Sequence, residues 1–313
     1  MRMLIIQTSP LAELLQSLPV TSDLRREFPK LAIDWCVDEA LADLLRLHPG
    51  VDRILPVALP RWRQKLPSTT IWREISQFRR ALRAVDYEAI FDLSGSLSSA
   101  LLARQACGTT CGYETANVPR LLMPRLYDAR YLIPSVAHPV ERHRWLIAAA
   151  LELPLEMPLE YGLSAPSLVA DWLPKQPYVL LEPDLEFEDP YWVALGKTLG
   201  GRGYAIILGA GCEQERTRAA ALARAIPGAV LAPLLDIGAL AGLLAGAAGV
   251  VGKISPILHF AAALRRPVVC LHTHSNAPTD GILSAAPFRN LGGQGTIPDV
   301  HAVLNAFFTC TRP

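Results

Sequence analysis

The chain has 313 residues, of which 51% are hydrophobic and 19% are charged. That balance describes a core-forming globular protein long enough for two domains, and it excludes an intrinsically disordered chain. The net charge of +1 lacks the basic excess of a nucleic-acid-binding domain, so we expect no nucleic-acid partner. Since the sequence has neither an apolar run of about 18 residues nor a signal-peptide cleavage pattern, we expect a cytoplasmic protein.

The first half alternates apolar runs with helical patterns, beginning with a strand that turns directly into a helix. Strands are predicted at 3–7, 31–37, 51–57 and 89–93, and helices at 11–28, 39–47, 70–85 and 98–105. A loop holding Arg61, Trp62 and Arg63 is predicted after the third strand. Strands that alternate with helices predict parallel βαβ units and a doubly wound sheet.

The second half repeats this alternation after a proline-rich stretch at 151–176 that has the character of a linker. Strands are predicted at 178–181, 205–208, 230–231, 249–251 and 268–271, and helices at 191–199, 213–225, 237–247, 256–263 and 299–308. We therefore predict two α/β domains, 1–165 and 166–313, with a ligand cleft between them. No G-x-G-x-x-G follows a predicted strand, which argues against a dinucleotide oxidoreductase.

Basic residues are concentrated in the first half, where 19 Lys and Arg face 15 Asp and Glu, against 11 and 14 in residues 151–313. They form three clusters, at Arg61/Arg63/Lys65, Arg79/Arg80/Arg83 and Arg142/Arg144. A solvated surface explains any one cluster. The functional alternative is a cationic face for an anionic substrate or an anionic membrane surface.

The first strand-to-helix turn holds a single acid. Residues 4–19 read LIIQTSPLAELLQSLP, which contains no glycine and one carboxylate, Glu13. A carboxylate in the first turn of a helix is stabilised by the helix dipole and needs no catalytic role. A carboxylate at the edge of a ligand cleft is also suited to take a proton from a substrate hydroxyl.

Three stretches resemble the heptosyltransferase I family, the ADP-heptose-dependent glycosyltransferases of family 9. They are residues 1–64, which end in PRWRQ, FDLSGSLSSALL at 91–102 and AHPVERHRWL at 137–146. The resemblance implies an α/β fold of GT-B type, with two Rossmann-like domains facing each other across a cleft. It places the acceptor in the first domain and the nucleotide in the second.

The resemblance also implies an activity. This is the inverting, metal-independent transfer of L-glycero-D-manno-heptose from ADP-heptose to the Kdo of the lipopolysaccharide inner core. It implies no cofactor besides the nucleotide-sugar donor. The expected partners are that donor and Kdo-lipid A or a similar anionic glycolipid, with a peripheral position on the cytoplasmic face of the inner membrane.

In the family the opening turn reads K-T-S-x-x-G-D, and its Asp is the general base. Glu13 falls on this base position and Ala12 on the glycine. Asp and Glu have nearly equal reference pKa values, about 3.9 and 4.3, so the exchange preserves proton affinity while it adds one methylene of reach. The resemblance thus makes Glu13 the expected catalytic base.

An anionic acceptor requires cations, and arginine suits carboxylate and phosphate because its planar fork binds both in bidentate fashion. The strongest candidates flank Trp62. The expected acceptor-binding residues are Ser9, Arg61, Arg63, Lys65 and Arg142. For the V-E-R-x-R stretch around Arg142, structural ion pairs are the alternative.

The donor side departs from the family pattern of a Thr-rich loop with a lysine. Residues 182–189 carry five acids and no base, so a diphosphate there would be repelled. The family's D-T-G-x-x-H motif reads I-S-P-I-L-H at 254–259, where Lys253 just before the motif offers a compensating charge. The expected donor-binding residues are Glu213, Glu215, Lys253, Ser255 and His259.

Several alternatives stay open on the sequence. The chain is a heptosyltransferase, a relative with another donor or acceptor, or a non-catalytic binding scaffold. His272 and His274 have the spacing of a metal pair on a strand, and the acids at 182–189 suit a divalent ion bridging to a diphosphate, but no third ligand is evident and we predict no metal. Cys107 and Cys111, four residues apart, are placed on one helix face and interpreted as isolated thiols.

Overall fold

A computed structural model describes residues 1–65, 68–114, 123–154, 158–209, 213–274 and 277–312. The chain divides into two compact units, Met1–Gly162 and Leu163–Pro313. This division falls inside the predicted linker, three residues before the boundary predicted from the sequence. Among the described residues, no helix combines the length and the apolar character that are needed to cross a membrane.

Unit 1 contains a six-stranded parallel sheet in the order β3-β2-β1-β4-β5-β6. Its strands are β1 (Arg2–Gln7), β2 (Ala32–Asp38), β3 (Arg53–Val57), β4 (Asp86–Asp92), β5 (Cys107–Tyr113) and β6 (Ala129–Tyr131). Its helices are α1 (Leu11–Ser17), α2 (Pro19–Glu27), α3 (Ala42–Leu45), α4 (Leu59–Gln64), α5 (Thr69–Arg83), α6 (Leu97–Ala103), α7 (Met123–Leu126) and α8 (Pro139–Leu151), with a 3₁₀ helix at Glu39–Leu41.

Unit 2 contains a second six-stranded parallel sheet, in the order β12-β11-β10-β7-β8-β9. Its strands are β7 (Tyr178–Glu182), β8 (Ala205–Leu208), β9 (Val230–Leu231), β10 (Gly249–Lys253), β11 (Val268–His272) and β12 (Phe288–Gly292). Its helices are α9 (Asp189–Gly201), α10 (Glu213–Ala225), α11 (Ile237–Gly246), α12 (Pro256–Ala263), α13 (Ala277–Asp280) and α14 (Val300–Cys310).

The central strands are continuous apolar runs because a parallel sheet is buried on both faces. Leu4, Ile5 and Ile6 of β1 are fully buried, and so are the corresponding residues of β7. Each unit packs its own core, around Trp62 and Phe78 in unit 1 and around Trp192 and Phe307 in unit 2. The two Rossmann-like domains confirm the predicted α/β fold class.

Both sheets share one topology, and each has one switch point. In unit 1 the chain runs from β1 through β2 to β3 on one side and then returns to β4 on the other side of β1. In unit 2 the same happens between β7 and β10. Because crevices form where the strand order reverses, ligands of such sheets bind beyond the carboxyl ends of the strands at this point.

Three local predictions are wrong. The helix predicted at 11–28 is two helices, because Pro19 lacks the N–H that would continue the first. The predicted loop around Trp62 is the short helix α4, which buries the indole ring. Cys107 and Cys111 lie on strand β5 rather than on a helix, and both are free thiols.

Candidate active site

Glu13 stands at the switch point of unit 1. It lies in the first turn of α1, which follows the carboxyl end of β1 after a three-residue turn. The side chain is exposed, and among the described residues it has no hydrogen-bond or ion-pair partner. A carboxylate in this position is free to accept a proton from a bound hydroxyl group.

The turn that carries Glu13 is fixed to the neighbouring β4 turn by side-chain hydrogen bonds. The Ser94 hydroxyl donates to Oε1 of Gln7 at 2.8 Å and accepts from the backbone N–H of Thr8 at 2.8 Å. The same Gln7 oxygen accepts from the N–H of Ser9 at 3.3 Å. Ser9, a predicted acceptor-binding residue, is therefore held at the switch point beside Glu13.

A buried carboxylate, Asp92, organises the β4 side of the switch point. It accepts hydrogen bonds from the hydroxyls of Tyr127 and Ser99, at 2.7 and 2.9 Å, and from the N–H groups of Ser94 and Gly95, at 3.0 and 3.1 Å. Burial raises the pKa of Asp92 to about 6, although these four hydrogen bonds act in the opposite direction. The sequence analysis did not single out Asp92. Its position at the end of a buried strand was the pattern that could have indicated it.

Arg61 is engaged within unit 1. Its guanidinium binds both carboxylate oxygens of Glu39, each at 2.9 Å, and Oε2 of Glu74 at 2.8 Å. The hydrogen bonds to Glu39 and Glu74 raise the pKa of Arg61. The Trp62 indole also donates to Glu74, at 3.1 Å, and packs edge-on against Phe78 at 5.6 Å between ring centroids. Arg61 and Trp62 thus fix α4 to α5.

Arg63 and Lys65, by contrast, are exposed. In the described part of the chain neither has an ion pair or a hydrogen bond to a side chain. They extend from the last turn of α4 and its C-cap, just beyond the carboxyl end of β3. They are the available cations of the predicted cluster.

The two arginines of the V-E-R-x-R stretch differ in the same way. Arg144 forms a bidentate ion pair with the buried Asp23, at 2.6 and 3.0 Å, which ties α8 to α2. Arg142 lies 5.4 Å above the ring of Tyr113, and its buried Nε has no hydrogen-bond partner. Arg142 thus lies against the last residue of β5 and, among the described residues, forms no ion pair with a carboxylate.

The strand order places these groups on either side of Glu13. β3 and β5 are each the second strand from β1, which corresponds to about 10 Å at the usual strand spacing. Arg63 and Lys65 follow β3, whereas Arg142 lies over the end of β5. Unit 1 thus presents a free carboxylate with cations on both sides, an arrangement that suits an anionic molecule with a hydroxyl to deprotonate.

The switch point of unit 2 carries an ion-pair network. Lys253 ends β10, and its Nζ lies 2.5 Å from Glu186 and 3.6 Å from Asp184, both in the turn after β7. The Thr273 hydroxyl donates to the other oxygen of Glu186. Burial disfavours the charge on Lys253, but the two carboxylates outweigh it and raise its pKa.

A second pair lies directly beside this network. The Ser255 hydroxyl donates to Oε2 of Glu182 at 2.5 Å and caps α12 by accepting from the N–H of Leu258. Burial raises the pKa of Glu182 to about 7, and the hydrogen bond from Ser255 opposes this shift. Glu182 therefore changes its charge near neutral pH.

The acidic turn after β7 has a base that sequence reasoning missed. Arg218 of α10 donates to the Asp189 carboxylate at 2.7 Å and to the carbonyl oxygens of Asp184 and Phe187, each at 2.5 Å. With Lys253, it compensates part of the charge of the five acids. No local pattern signals this contact, because Arg218 lies about 30 positions away in the sequence.

The remaining predicted donor residues have mixed positions. The side chain of Glu213, the first residue of α10, lies outside the described residues, whereas Glu215 is exposed on the same helix. His259 is buried within α12. His272 is buried at the end of β11, with Nε2 3.4 Å from Oδ1 of Asn290. Among the described residues, no three His, Cys, Asp or Glu side chains come together in a way that suits a metal ion.

Comparison with known proteins gives concordant matches. The chain is 35% identical to lipopolysaccharide heptosyltransferase 1 of Pseudomonas aeruginosa, over 88% of this chain and 79% of the relative. It is 32% identical to the protein of the same name from Salmonella typhimurium, over 90% and 89% of the two chains. The structure of E. coli heptosyltransferase WaaC with ADP superposes with a TM-score of 0.87, at 28% identity and 99% coverage of both chains.

Two Rossmann-like domains, together with these relatives, define a two-domain glycosyltransferase. Residues 75–286 match glycosyltransferase family 9 (heptosyltransferase), and the chain belongs to that family. The relatives favour heptosyl transfer over the two alternatives that the sequence left open.

Proposed function

We propose that the protein transfers a heptose from ADP-heptose to the Kdo of a lipid A precursor in the lipopolysaccharide inner core. The observation that carries the proposal is the free carboxylate of Glu13 at the switch point of unit 1, with available cations on both sides. Relatives named as lipopolysaccharide heptosyltransferase 1 support it. The E. coli heptosyltransferase structure with ADP, and a further one with ADP-2-deoxy-2-fluoro heptose, support an ADP-sugar as donor.

In the proposed reaction Glu13 takes the proton of a Kdo hydroxyl while that oxygen attacks the anomeric carbon of the heptose. The bond from the anomeric carbon to the diphosphate oxygen breaks, and ADP leaves with the electron pair. General-base assistance of this kind contributes about 10²–10⁴ in rate. Attack from the face opposite the leaving group inverts the configuration of the anomeric carbon.

The acceptor is held by unit 1 in this proposal. Arg63, Lys65 and Arg142 bind the Kdo carboxylate and the phosphates of the glycolipid, because none of these cations has a carboxylate partner in the described part of the chain. Ser9 lies in the same turn as Glu13 and offers a hydroxyl to the acceptor sugar. Arg61 has a different task, since Glu39 and Glu74 already engage it. It holds α4 in place so that Arg63 points outward.

The donor is held by unit 2. Lys253 binds the diphosphate after exchanging Glu186 for a phosphate oxygen, and the Ser255 hydroxyl turns its single proton from Glu182 to the same group. Glu213 and Glu215 at the start of α10 accept hydrogen bonds from the ribose hydroxyls. His259 supports α12 from within the domain core. No further cofactor is needed, since the base and the leaving group are both supplied.

The place of action follows from the acceptor. A Kdo-lipid A acceptor is anchored in a membrane by its acyl chains, so we propose that the protein works in the cytoplasm at the cytoplasmic face of the inner membrane.

The direct test is a transfer assay with purified protein, ADP-heptose and detergent-solubilised Kdo-lipid A. We expect release of one ADP per heptose incorporated, and no ADP release with lipid A that lacks Kdo. A protein that binds neither ADP-heptose nor ADP in calorimetry, and transfers no sugar, would contradict the proposal and favour a binding scaffold. Turnover with a different nucleotide sugar alone would identify another transferase.

A further inference from the structure

The long helix α5 has two distinct faces. Ile71, Phe78 and Leu82 are buried in the core of unit 1. On the opposite side five exposed residues form what we call the α5 face: Trp72, Arg73, Arg79, Arg80 and Arg83. At 3.6 residues per turn they lie within an arc of about 120°, so all five side chains leave the helix in nearly the same direction.

The α5 face carries charge of one sign only. Among the described residues none of its four arginines forms an ion pair. Arg80 and Arg83 reach only the backbone carbonyls of Ser76 and Gln105, at 3.4 and 3.2 Å. The one acid of the helix, Glu74, binds Arg61 and Trp62 on the other side. The four guanidinium groups are therefore free to bind external anions.

Several other surface arginines of unit 1 have aspartate partners. The pairs are Arg25–Asp52, Arg46–Asp43 and Arg104–Asp128. Pairing is thus common on this surface, and the α5 face departs from it along the whole of a 15-residue helix, about 22 Å in length. Such a row of unpaired arginines creates a local positive potential in a protein whose net charge is only +1.

We propose that the α5 face is a docking surface for a lipid bilayer that contains anionic lipids. Arginines near an anionic bilayer surface each contribute to binding, and aromatic rings such as the 55% exposed Trp72 favour the boundary between headgroups and acyl chains. The apolar face of α5 stays packed in the domain core, so the helix lies on the bilayer without inserting. A duplex nucleic acid is less well matched, because it offers no boundary between headgroups and acyl chains for the exposed Trp72 ring.

Docking would place the acceptor cations at the level of the lipid headgroups. Arg61 and Trp62 fix α4 to the side of α5 that carries Glu74, and the backbone N–H of Ser68, the residue before α5, donates to the carbonyl oxygen of Lys65. Lys65 therefore lies close to the end of α5 that carries Trp72. Under the proposed function, this brings Lys65 and the neighbouring Arg63 to the depth at which the anionic sugars of a membrane glycolipid are found. Docking itself requires neither acceptor nor donor.

The test compares two triple variants of equal charge change. R73Q/R79Q/R80Q alters the α5 face, and K175Q/K197Q/R224Q alters exposed cations of unit 2. Binding to vesicles of phosphatidylcholine, with and without phosphatidylglycerol, is measured by co-sedimentation. We expect the parent protein and the unit 2 variant to bind the anionic vesicles. At about fivefold per arginine, the α5 variant should bind on the order of a hundredfold more weakly.

Quenching by brominated lipid reports on Trp72 directly. We expect the parent protein to be quenched on anionic vesicles and Trp72→Phe to lose part of that quenching. Equal vesicle binding by both triple variants, or tighter binding to duplex DNA than to anionic vesicles, would overturn the proposal. Heptosyl transfer to a detergent-solubilised acceptor separates this proposal from the proposed function, since the α5 variant should retain it; vesicle binding without any transfer would contradict only the function.

Discussion

The Lys253 ammonium group lies 2.5 Å from a carboxylate oxygen of Glu186, directly beyond the switch point of unit 2. The base that ends β10 is therefore engaged by the turn that follows β7. A diphosphate that binds at this corner has to compete with Glu186 for the lysine. Donor affinity is expected to depend on this ion pair.

Glu186→Gln should tighten binding of ADP-heptose by up to about fivefold, because an exposed ion pair that opposes binding is removed. Lys253→Met should weaken binding, since the diphosphate loses its cation. Calorimetric titration of each variant measures both effects. Glu188→Gln, a change of the same charge at an exposed residue of the same turn, is the control. If neither Glu186→Gln nor Lys253→Met alters the affinity for ADP-heptose, the donor does not bind at the switch point of unit 2.

The affinity for ADP-heptose should fall as the pH rises through about 7. Glu182 is neutral below its raised pKa of about 7 and anionic above it, and the anion repels the diphosphate. The measurement is the Kd of ADP-heptose between about pH 6 and pH 8. Glu182→Gln should bind as tightly at high pH as the parent protein does at low pH. A parent protein with a flat profile would show that the Glu182 carboxyl does not face the donor.

Glu13→Gln should lower kcat by about 10²–10⁴ while the affinity for ADP-heptose is unchanged, because only the proton transfer is lost. The side chain is exposed and has no partner among the described residues, so the Tm should fall only slightly, through the lost interaction with the helix dipole. Glu13→Asp keeps a carboxylate but shortens its reach by one methylene, so its kcat should lie between those of the parent protein and Glu13→Gln. Full activity of the glutamine variant would assign the proton to another group.

Arg61 and Arg63 should separate stability from acceptor binding. Arg61→Ala removes the hydrogen bonds to Glu39 and Glu74, so we expect a lower Tm together with a raised KM for the acceptor. Arg63→Ala removes no ion pair or side-chain hydrogen bond among the described residues, so it should raise the acceptor KM at an unchanged Tm. Thermal melting and steady-state kinetics on both variants decide this. A raised KM for Arg61→Ala without any loss of Tm would instead indicate direct contact with the acceptor.

Asp92 should make the stability of unit 1 depend on pH. Its folded pKa, about 6, lies above the unfolded value of 3.8, so the unfolded state releases the proton first. The stabilisation of the protonated form is therefore present at low pH and is lost as the pH rises through about 6. Relative to Asp92→Asn, the free energy of unfolding of the parent protein should fall by about 2 kcal/mol between about pH 4 and pH 7. If the free energies of unfolding of the parent protein and Asp92→Asn differ by a constant amount over this pH range, the pKa of Asp92 is not raised.

Much of the fold follows from apolar periodicity alone. The strand at Ala205–Leu208 and the helix at Pro256–Ala263 have the predicted bounds, because a buried strand and an apolar helix that begins after a serine cap leave clear patterns. Strand β5 was missed, since its sequence, CGTTCGY, has few apolar residues and its pairing with β4 supplies what the local pattern lacks. Strand β12 was missed because its sequence, FRNLG, likewise has few apolar residues. It is an edge strand that, among the described strands, pairs only with β11.

The candidate site divides along the same line. The sequence could nominate Glu13 and the cations around Trp62 because they follow predicted strand ends, and the resemblance supplied the catalytic role of Glu13. Arg142 was nominated from the V-E-R-x-R stretch and follows no predicted strand. It could not tell that Arg61 is engaged and Arg63 free, since the partners, Glu39 and Glu74, lie 22 and 13 positions away. Arg218 escaped notice for the same reason. The type of a residue indicates which chemistry is possible. Ion pairs between residues that are distant in the sequence decide which side chains remain available for that chemistry.

The parallel strands of both units end in turns that contribute few residues to the domain cores. The clusters around Trp62 and around Trp192 consist mainly of strand and helix residues, and Glu13, Lys253 and Ser255 are not among them. Chemistry and folding are therefore encoded in largely separate residues of this chain. An enzyme built in this way can gain, lose or exchange its donor through a few substitutions in two turns while its melting temperature hardly changes, so a stable fold does not by itself show that the donor site is intact.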